Sequence, residues 1–394
     1  MRVLISAGEA SGEHYGAQLA IALRARLQQR SEEAEIFGLG GNAMRAAGCE
    51  TIVDANDIAV VGITEVFASL PRIRREFHRL VHEAERSRPQ VAVLIDFPDF
   101  NLRLAKQLWR RGIPVVYFIS PQLWAWRAGR VKQVRRYARK MLVIFPFEAE
   151  WYRQRGVEAE YVGHPLFDER REIPDREAFA RRIDLDAAKQ WIALLPGSRR
   201  KEVSLNLPPI LEAAALLEGS GSYEFLLPIA PTLTRNWLAQ EIAALRKGAR
   251  VHLVEDAPVA LAHARAAVVA SGTATVQAAL AVTPFVMVYR VSPSSYVLGR
   301  WMVRVPHFAM PNLIAGRCVV PELVQRRFTA ENVVSELRKL LPDGRERDRM
   351  LQDLKDVRSK LAYPGDEAAG SAIDRAAAAV LEVAAKAVKD KSPT

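Results

Sequence analysis

Short apolar runs alternate with longer amphipathic stretches along most of the chain, and this alternation predicts parallel β-sheets covered by helices. The runs are four to six residues long in most cases, as buried strands are. We predict strands at residues 3–6, 36–39, 91–95, 114–119, 141–145 and 160–162, and again at 191–195, 223–228, 251–254, 267–270 and 284–289. The pattern therefore predicts an α/β protein with doubly wound parallel sheets.

Two glycine-rich turns, at residues 8–12 and 196–200, each follow an apolar run and lie about half a chain apart. A chain of 394 residues exceeds the usual size of one domain. We therefore predict two Rossmann-like domains that face each other across a cleft. The expected organisation is a first domain at 1–166, a hinge at 167–190, a second domain at 191–366, and a C-terminal helix with a frayed tail at 367–394.

Composition narrows the setting of the protein. Hydrophobic residues make up 49% of the chain, yet no apolar run reaches the roughly 18–20 residues that cross a bilayer. The first apolar run ends at Gly8-Glu9, which argues against a signal peptide. The two cysteines, Cys49 and Cys318, fit a reducing compartment. We expect a cytoplasmic protein.

The net charge of +11 is concentrated in two basic runs, residues 70–80 and 130–140. Nucleotide phosphates, nucleic acid and an anionic membrane would each complement this charge, and plain solubility would also account for it. No recognised DNA- or RNA-binding module accompanies the basic runs, so we expect no nucleic-acid partner.

Two strand-to-helix turns in the second half carry small residues and one arginine, a combination suited to phosphate. Backbone N–H groups at a helix N-terminus favour an anion, and a guanidinium pairs with phosphate oxygens. Each turn taken alone would equally suit an ordinary surface turn or a helix N-cap. Their residues are Gly197, Ser198, Arg199, Ser271, Gly272 and Thr273.

The first half places polar and aromatic residues beyond strand ends, where α/β proteins keep their chemistry. Asp96 follows an apolar strand, which would raise its pKa and suit it to act as a base. Asp99 is a second candidate, or a helix cap. Trp124 would line a sugar or acyl site, or pack in the core. His164 would reach the cleft, or be a buried, hydrogen-bonded imidazole.

A basic and apolar segment at residues 67–81 suits an anionic membrane surface, with a core-facing helix as the alternative. A similar mixture occurs at residues 296–304. Metal-ligand spacing is missing: His78 and His82 lie four apart without an intervening Glu. We predict no metal and no other cofactor. The candidate membrane-contact residues are Phe67, Leu70, Arg72, Ile73, Arg74, Arg75 and Phe77.

Seven blocks, in order and spread over nearly the whole chain, resemble the lipid-A-disaccharide synthase family. They are residues 8–12, 61–66, 96–101, 120–126, 195–199, 270–274 and 311–317. The resemblance implies a GT-B glycosyltransferase without a catalytic metal. It implies that UDP-2,3-diacylglucosamine and 2,3-diacylglucosamine 1-phosphate (lipid X) react to a β-1,6-linked disaccharide 1-phosphate and UDP. It implies that the enzyme is peripheral and binds the anionic surface of the inner membrane on its cytoplasmic face. It leaves open whether the enzyme is a homodimer.

The resemblance also implies roles for individual residues. Asp96 would be the general base, and Arg199 with the two small-residue turns would bind UDP. Asn312 and Arg317 would belong to the nucleotide pocket. The first domain would contribute Glu9, Ser11 and Gly12 to the cleft.

Two positions depart from the family pattern. Gln277 stands where Glu often faces the donor ribose, and we expect weaker UDP affinity from it. Glu13-His14 replaces the Asp that usually follows Ser-Gly. Another GT-B UDP-sugar enzyme, such as a 2-epimerase or a different transferase, and a non-catalytic membrane-bound UDP-sugar binding protein are the alternatives.

Overall fold

The computed structural model describes residues 1–58, 63–169, 171–219, 222–245, 249–292, 305–364 and 370–389. The chain divides into two compact units. The first comprises Met1–Asp168 together with Ala362–Thr394, and the second comprises Glu169–Leu361.

A seven-stranded sheet in the order β3-β2-β1-β4-β5-β6-β7 forms the centre of the first unit, and each neighbouring pair is parallel. Its strands are β1 (Arg2–Ala7), β2 (Glu35–Gly40), β3 (Glu50–Asp54), β4 (Val91–Ile95), β5 (Val115–Phe118), β6 (Lys140–Val143) and β7 (Ala159–Tyr161). Its helices in the first stretch of chain are α1 (Ala10–Gln28), α2 (Asn42–Ala46), α3 (Ala55–Ile58), α4 (Ile63–Ser87), α5 (Pro98–Arg110), α6 (Val131–Tyr137), α7 (Pro146–Arg153) and α8 (Pro165–Asp168).

A six-stranded parallel sheet in the order β10-β9-β8-β11-β12-β13 forms the centre of the second unit. Its strands are β8 (Gln190–Leu195), β9 (Tyr223–Pro228), β10 (Val251–Val254), β11 (Ala266–Ala270), β12 (Phe285–Tyr289) and β13 (Glu322–Val324). Its helices are α9 (Arg176–Ile183), α10 (Arg200–Glu218), α11 (Arg235–Leu245), α12 (Ala257–His263), α13 (Thr273–Leu280), α14 (Met310–Ala315), α15 (Ala330–Leu340) and α16 (Arg345–Leu361).

Strand order reverses once in each sheet, between β1 and β4 in the first and between β8 and β11 in the second. The central strands are apolar throughout because helices cover them: every residue of β4 and of β11 is buried. At such a reversal the loops after the two strands diverge and leave a crevice at the carboxyl edge of the sheet. These two crevices are where the fold predicts ligands.

The last helix, α17 (Ala372–Lys389), returns to the first unit and packs on α1 and against β4 and β5. Its apolar side chains at helical spacing, including Ile373, Ala377 and Val380, are buried, as the sequence predicts. Arg375 ties the helix to the sheet: its Nε donates to the Val162 carbonyl at 2.7 Å.

All eleven predicted strands are present, with ends that differ by at most two residues. Two strands were not predicted, β3 and β13, and both lie at sheet edges. The predicted hinge segment 167–190 contains α9, whose Phe179 is buried in the core of the second unit. In the part of the chain that the structure describes, no helix is both long and apolar enough to cross a bilayer.

Candidate active site

Asp96 lies at the crevice of the first sheet, directly after β4, in a left-handed backbone conformation. Asp96 and Phe97 have φ values of 43° and 49°. Left-handed backbone at residues other than glycine costs on the order of 1–3 kcal/mol each and persists only where the surroundings hold it. Here the Tyr117 hydroxyl donates to the Asp96 carbonyl at 2.7 Å, and the Asn101 amide donates to the same oxygen at 2.9 Å.

The fully buried Asn101 connects the ends of β1 and β4 to helix α5. Its Oδ1 accepts the Ser6 hydroxyl at 2.7 Å, and its Nδ2 also donates to the Ile95 carbonyl at 3.0 Å. Because every contact of this amide is to a strand end at the crevice, Asn101 fixes the backbone that carries Asp96. Asn101 belongs to the sequence block 96–101, but the sequence alone did not reveal its role, because its partner Ser6 is 95 positions away.

The turn after β1 packs against the turn after β4. A Cβ atom on Gly8 would come within 2.5 Å of the Phe97 ring, so only glycine fits there. Glu9 is the half-buried N-cap of α1, Ser11 is exposed, and Gly12 lies against Ile95. These predicted cleft residues therefore lie next to the Asp96 turn.

Glu13, one of the two departures from the family pattern, has a structural partner. Its Oε1 accepts the backbone N–H of Ala43 at 2.7 Å, at the start of α2. The carboxylate therefore caps that short helix.

Asp99 forms ion pairs with two arginines of the loop that follows β5. Its Oδ1 lies 2.6 Å from Nη2 of Arg130 and 3.2 Å from Nη1 of Arg127. Asp99 thus fastens α5 to this loop, at the same edge of the sheet as Asp96.

Trp124 is held by Glu148, a residue that the sequence reasoning missed. The indole Nε1 donates to Glu148 Oε1 at 2.8 Å, and the Trp124 ring meets Phe147 edge-on at 5.1 Å. Trp124 and Phe147 are half-buried, whereas Glu148 is buried. Burial raises the pKa of Glu148 to about 7.

His164 is a buried, hydrogen-bonded imidazole, which is the second of the two interpretations that its sequence position allows. Its side chain is 2% exposed, and Nδ1 accepts the Leu166 N–H at 3.2 Å, so the neutral ring carries its proton on Nε2. Burial lowers the pKa of His164 to about 3.

The candidate membrane-contact residues divide into two groups along α4. Ile73 and Phe77 pack against the core of the first unit, and Phe77 meets Phe100 edge-on. Ile73 and Phe77 therefore face the core, as the alternative interpretation of a core-facing helix predicts. The Phe67 side chain and the segment 296–304 lie outside the described residues. The exposed residues of the group are Leu70, Arg72, Arg74 and Arg75.

In the second sheet, the turn after β8 already binds a carboxylate of its own chain. Glu202 Oε2 accepts the backbone N–H groups of Ser198 at 3.2 Å and Arg199 at 3.3 Å, and Oε1 lies 3.4 Å from the Arg199 guanidinium. Gly197 has a φ of +130°, and a Cβ there would come within 2.9 Å of Glu202. The predicted phosphate turn thus has the geometry to bind an anion, and Glu202 occupies its amides.

The turn after β11 approaches an aromatic pair. The Ser271 hydroxyl donates to the Phe308 carbonyl at 3.0 Å, and Phe308 stacks on Tyr289 at the end of β12, with ring centroids 6.4 Å apart. Gly272 has a φ of +128°, while Gly272 and Thr273 are exposed at the start of α13. Burial raises the pKa of Tyr289. The nearby Glu202 carboxylate raises this pKa further, and the nearby Arg199 guanidinium lowers it.

Asn312 is fully buried, and its side chain is used within the protein. Nδ2 donates to Glu322 Oε1 at 2.8 Å and to the Val320 carbonyl at 2.9 Å, while Oδ1 accepts two backbone N–H groups. Glu322, which the sequence reasoning missed, accepts the N–H groups of Phe308 and Ala309 before α14. Asn312 and Glu322 therefore hold the Phe308 turn.

Arg317 and Gln277 complete the predicted nucleotide set. Arg317 pairs with Asp353 of α16 through two bonds of 2.6 and 3.0 Å, and this hydrogen bonding raises its pKa. Gln277 is half-buried on α13. Over the described ranges, the His, Cys, Asp and Glu side chains do not gather into a group of three that could hold a metal ion.

Each unit thus has a doubly wound sheet with a polar crevice at its reversal point, and two such units in one chain make up the GT-B fold. Comparison with solved structures agrees on the fold. The calicheamicin glycosyltransferase CalG4 matches with a TM-score of 0.58 over 100% of this chain and 99% of that chain, at 17% identity. The UDP-GlcNAc 2-epimerase from Neisseria meningitidis, solved with UDP-GlcNAc, gives the same TM-score at 12% identity over 98% and 100%.

Sequence comparison is more specific than the fold. The family model described as lipid-A-disaccharide synthetase matches residues 3–373. A lipid-A-disaccharide synthase from Koribacter versatilis is 55% identical over 98% of this chain and 99% of its own length. The chain belongs to the lipid-A-disaccharide synthase family, and it is an enzyme of lipid A disaccharide synthesis.

Proposed function

We propose that the enzyme transfers the sugar of UDP-2,3-diacylglucosamine to the 6-hydroxyl of 2,3-diacylglucosamine 1-phosphate, with Asp96 as the general base. The observation that carries this proposal is the backbone at Asp96, which Tyr117 and Asn101 lock in a left-handed conformation. Strain of this kind concentrates at functional sites. The first unit would supply the base, and the second would bind the nucleotide.

In the proposed reaction, the Asp96 carboxylate accepts the proton of the acceptor hydroxyl as its oxygen attacks the anomeric carbon. The bond between that carbon and the β-phosphate oxygen breaks, and UDP leaves on the opposite face with the electron pair. The configuration inverts to β. The products are the disaccharide 1-phosphate and UDP.

The second unit has the donors that a leaving diphosphate needs. The Arg199 side chain is 64% exposed, and Gly272 and Thr273 are exposed where the N-terminus of α13 favours an anion. Phe308, stacked on Tyr289, offers an aromatic surface to the uracil ring. Asn312 and Arg317 would support this pocket through the contacts they make within the protein.

We further propose that exposed positive charge, more than apolar side chains, brings the protein to the membrane. Arg72, Arg74 and Arg75 are exposed near the exposed Leu70, and such a cluster favours an anionic lipid surface. We expect the protein to sediment with anionic vesicles at low salt and not with zwitterionic ones. Reversing the charges of Arg72 and Arg74 should abolish this difference, and equal binding to both vesicles would contradict the proposal.

The deciding experiment measures UDP release and disaccharide formation from the two acylated substrates in detergent. Asp96→Asn should lower kcat at least a thousandfold and leave UDP binding within twofold of the parent. Asp57→Asn, an exposed carboxylate on α3, is the matched control and should retain full activity.

The same assay separates the alternatives. Epimerisation of a UDP-sugar without the acceptor would indicate the 2-epimerase, and UDP binding without turnover would indicate a binding protein. Full activity of Asp96→Asn would show that another group is the base.

A further inference from the structure

A buried acid, Glu148, joins the loop after β5 to the start of α7 at the carboxyl edge of the first sheet. It lies in the first turn of α7 and is 1% exposed. Oε1 accepts the Trp124 indole N–H at 2.8 Å, Oε2 accepts the Phe145 backbone N–H at 3.2 Å, and Ser120 is a further hydrogen-bond partner. The loop after β5 is therefore attached to the helix after β6 through this carboxyl group, and also through the Tyr152 hydroxyl, which lies 2.8 Å from the Ser120 hydroxyl.

The group that Glu148 holds is an aromatic surface. Trp124 packs edge-on against Phe147, which stacks on Phe145 with centroids 5.9 Å apart. The strands β4, β5 and β6 are neighbours in the sheet, and neighbouring strands lie about 4.8 Å apart. The half-buried Trp124 and Phe147 thus follow strands one and two places from the strand that ends at Asp96.

We propose that Glu148 is a positioning residue that holds Trp124 against Phe147, and that this aromatic pair binds the acceptor beside Asp96. The inference rests on the proposed function above, because it assigns the acceptor to the first unit. An aromatic face suits the C–H face of a sugar ring or the first carbons of an acyl chain, since both can pack C–H groups on an aromatic ring.

An acid serves this role differently from an amide because its charge changes near neutral pH. Burial raises the pKa of Glu148 to about 7. Three titratable side chains lie around it: Tyr152 on α7, Tyr161 on β7, and His164, whose ring lies beside that of Phe145. Burial raises the pKa of Tyr152, and the charge of Asp96 also raises it. Above pH 7 the indole donates to a carboxylate, and hydrogen bonds to ionised acceptors are stronger than neutral ones.

The first test observes Trp124 directly and needs no activity. The chain has seven tryptophans, so 15N-labelled protein gives seven indole N–H signals, and Trp124→Phe assigns the signal by its loss. We expect this signal to shift with pH around a midpoint near 7 in the parent and to be constant in Glu148→Gln. A Trp124 signal with the same chemical shift in the parent, in Glu148→Gln and in Glu148→Leu would overturn the proposal, because the indole would then not bind the Glu148 side chain.

The second test separates positioning from folding through KM and kcat. Glu148→Leu and Trp124→Leu should each raise KM for the acylated acceptor about tenfold and leave KM for the UDP-sugar within twofold. Glu148→Gln, whose amide oxygen still accepts the indole bond, should restore acceptor KM and remove its pH dependence. Glu150→Gln, an exposed residue of the same helix, is the control.

Two outcomes of the kinetic test would contradict the proposal. One is an unchanged acceptor KM in Glu148→Leu, and the other is an equal rise in both KM values. If the parent enzyme shows no transfer at all, the proposed function fails, while the indole titration still reports on Glu148 and Trp124.

Discussion

The backbone at Asp96 matters as much as its carboxylate. A left-handed aspartate needs partners for its carbonyl, and Tyr117 supplies one from the next strand at 2.7 Å. Tyr117 is completely buried, and burial raises the pKa of its phenol, so the hydroxyl stays protonated as a donor. The Asp96 turn therefore depends on a hydroxyl whose ring belongs to the core.

Tyr117→Phe should lower kcat about tenfold, because the Asp96 turn loses one of its two carbonyl bonds while the ring keeps its packing. We expect a loss of unfolding free energy of about 1 kcal/mol, the usual value of one such bond. Steady-state kinetics and denaturant unfolding measure the two effects. Tyr137→Phe on α6 is the control, and a Tyr117→Phe enzyme with unchanged kcat would show that the bond does not position Asp96.

Sequence reasoning found the residues that follow strands but missed those that hold them. Asp96, Arg199 and Ser271 have a local signal, an apolar run followed by a polar turn. No such local signal marks Glu148, Glu202 or Glu322. The role of each can be identified only from the backbone N–H groups or the side chain that it contacts. Trp124, for example, is 24 positions from Glu148.

At the scale of elements, every interior strand was predicted, whereas two of the four edge strands, β3 and β13, were not. The five residues of β3 include two acids and only one buried side chain, and β13 has three residues. Edge strands bury one flank, so their sequences need not be apolar throughout. Residues 67–81 of α4 could not be assigned to membrane contact or to the core from the sequence, because basic and apolar residues alternate there. In the structure, basic residues face solvent while Ile73 and Phe77 face the core.

Helix α10 begins at an anion-binding turn that its own Glu202 fills. Glu202→Gln keeps an oxygen for the Ser198 and Arg199 N–H groups but removes the charge that repels a diphosphate and pairs with Arg199. We therefore expect the Kd for UDP to fall three- to tenfold, measured by calorimetry. Glu212→Gln, exposed farther along α10, is the control. A weaker affinity for UDP in Glu202→Gln would indicate that the charge of Glu202 organises the turn for the nucleotide instead.

At the scale of the molecule, the chain order and the spatial order differ. The last helix belongs to the first unit, and Arg375 reaches the end of β7, 213 positions earlier. The spacing of apolar residues predicted a packed helix there but contained no information on its partner. Asp168 completes the attachment, since its Oδ2 accepts the N–H of Ala372 at 2.5 Å.

Two buried groups in the first unit give its stability opposite dependences on pH. The pKa of Glu148 is raised from 4.5 to about 7, so the folded state holds this proton more tightly than the unfolded state. Its contribution is full below pH 4.5 and falls by about 3 kcal/mol as the pH rises to 7. The pKa of His164 is lowered from 6.5 to about 3, so its contribution is full above pH 6.5 and falls by about 5 kcal/mol as the pH drops toward 3.

Between pH 4.5 and 6.5 the two slopes oppose each other, and we expect the unfolding free energy of the first unit to change little with pH there. Glu148→Gln removes one slope, because an amide does not titrate. In this variant the unfolding free energy should rise by about 1.4 kcal/mol per pH unit over the same interval. Denaturant unfolding at pH 5, 6 and 8 measures this, with Glu150→Gln expected to follow the parent. Parallel pH profiles for the parent and Glu148→Gln would mean that the carboxyl of Glu148 is already ionised in the folded protein throughout the interval.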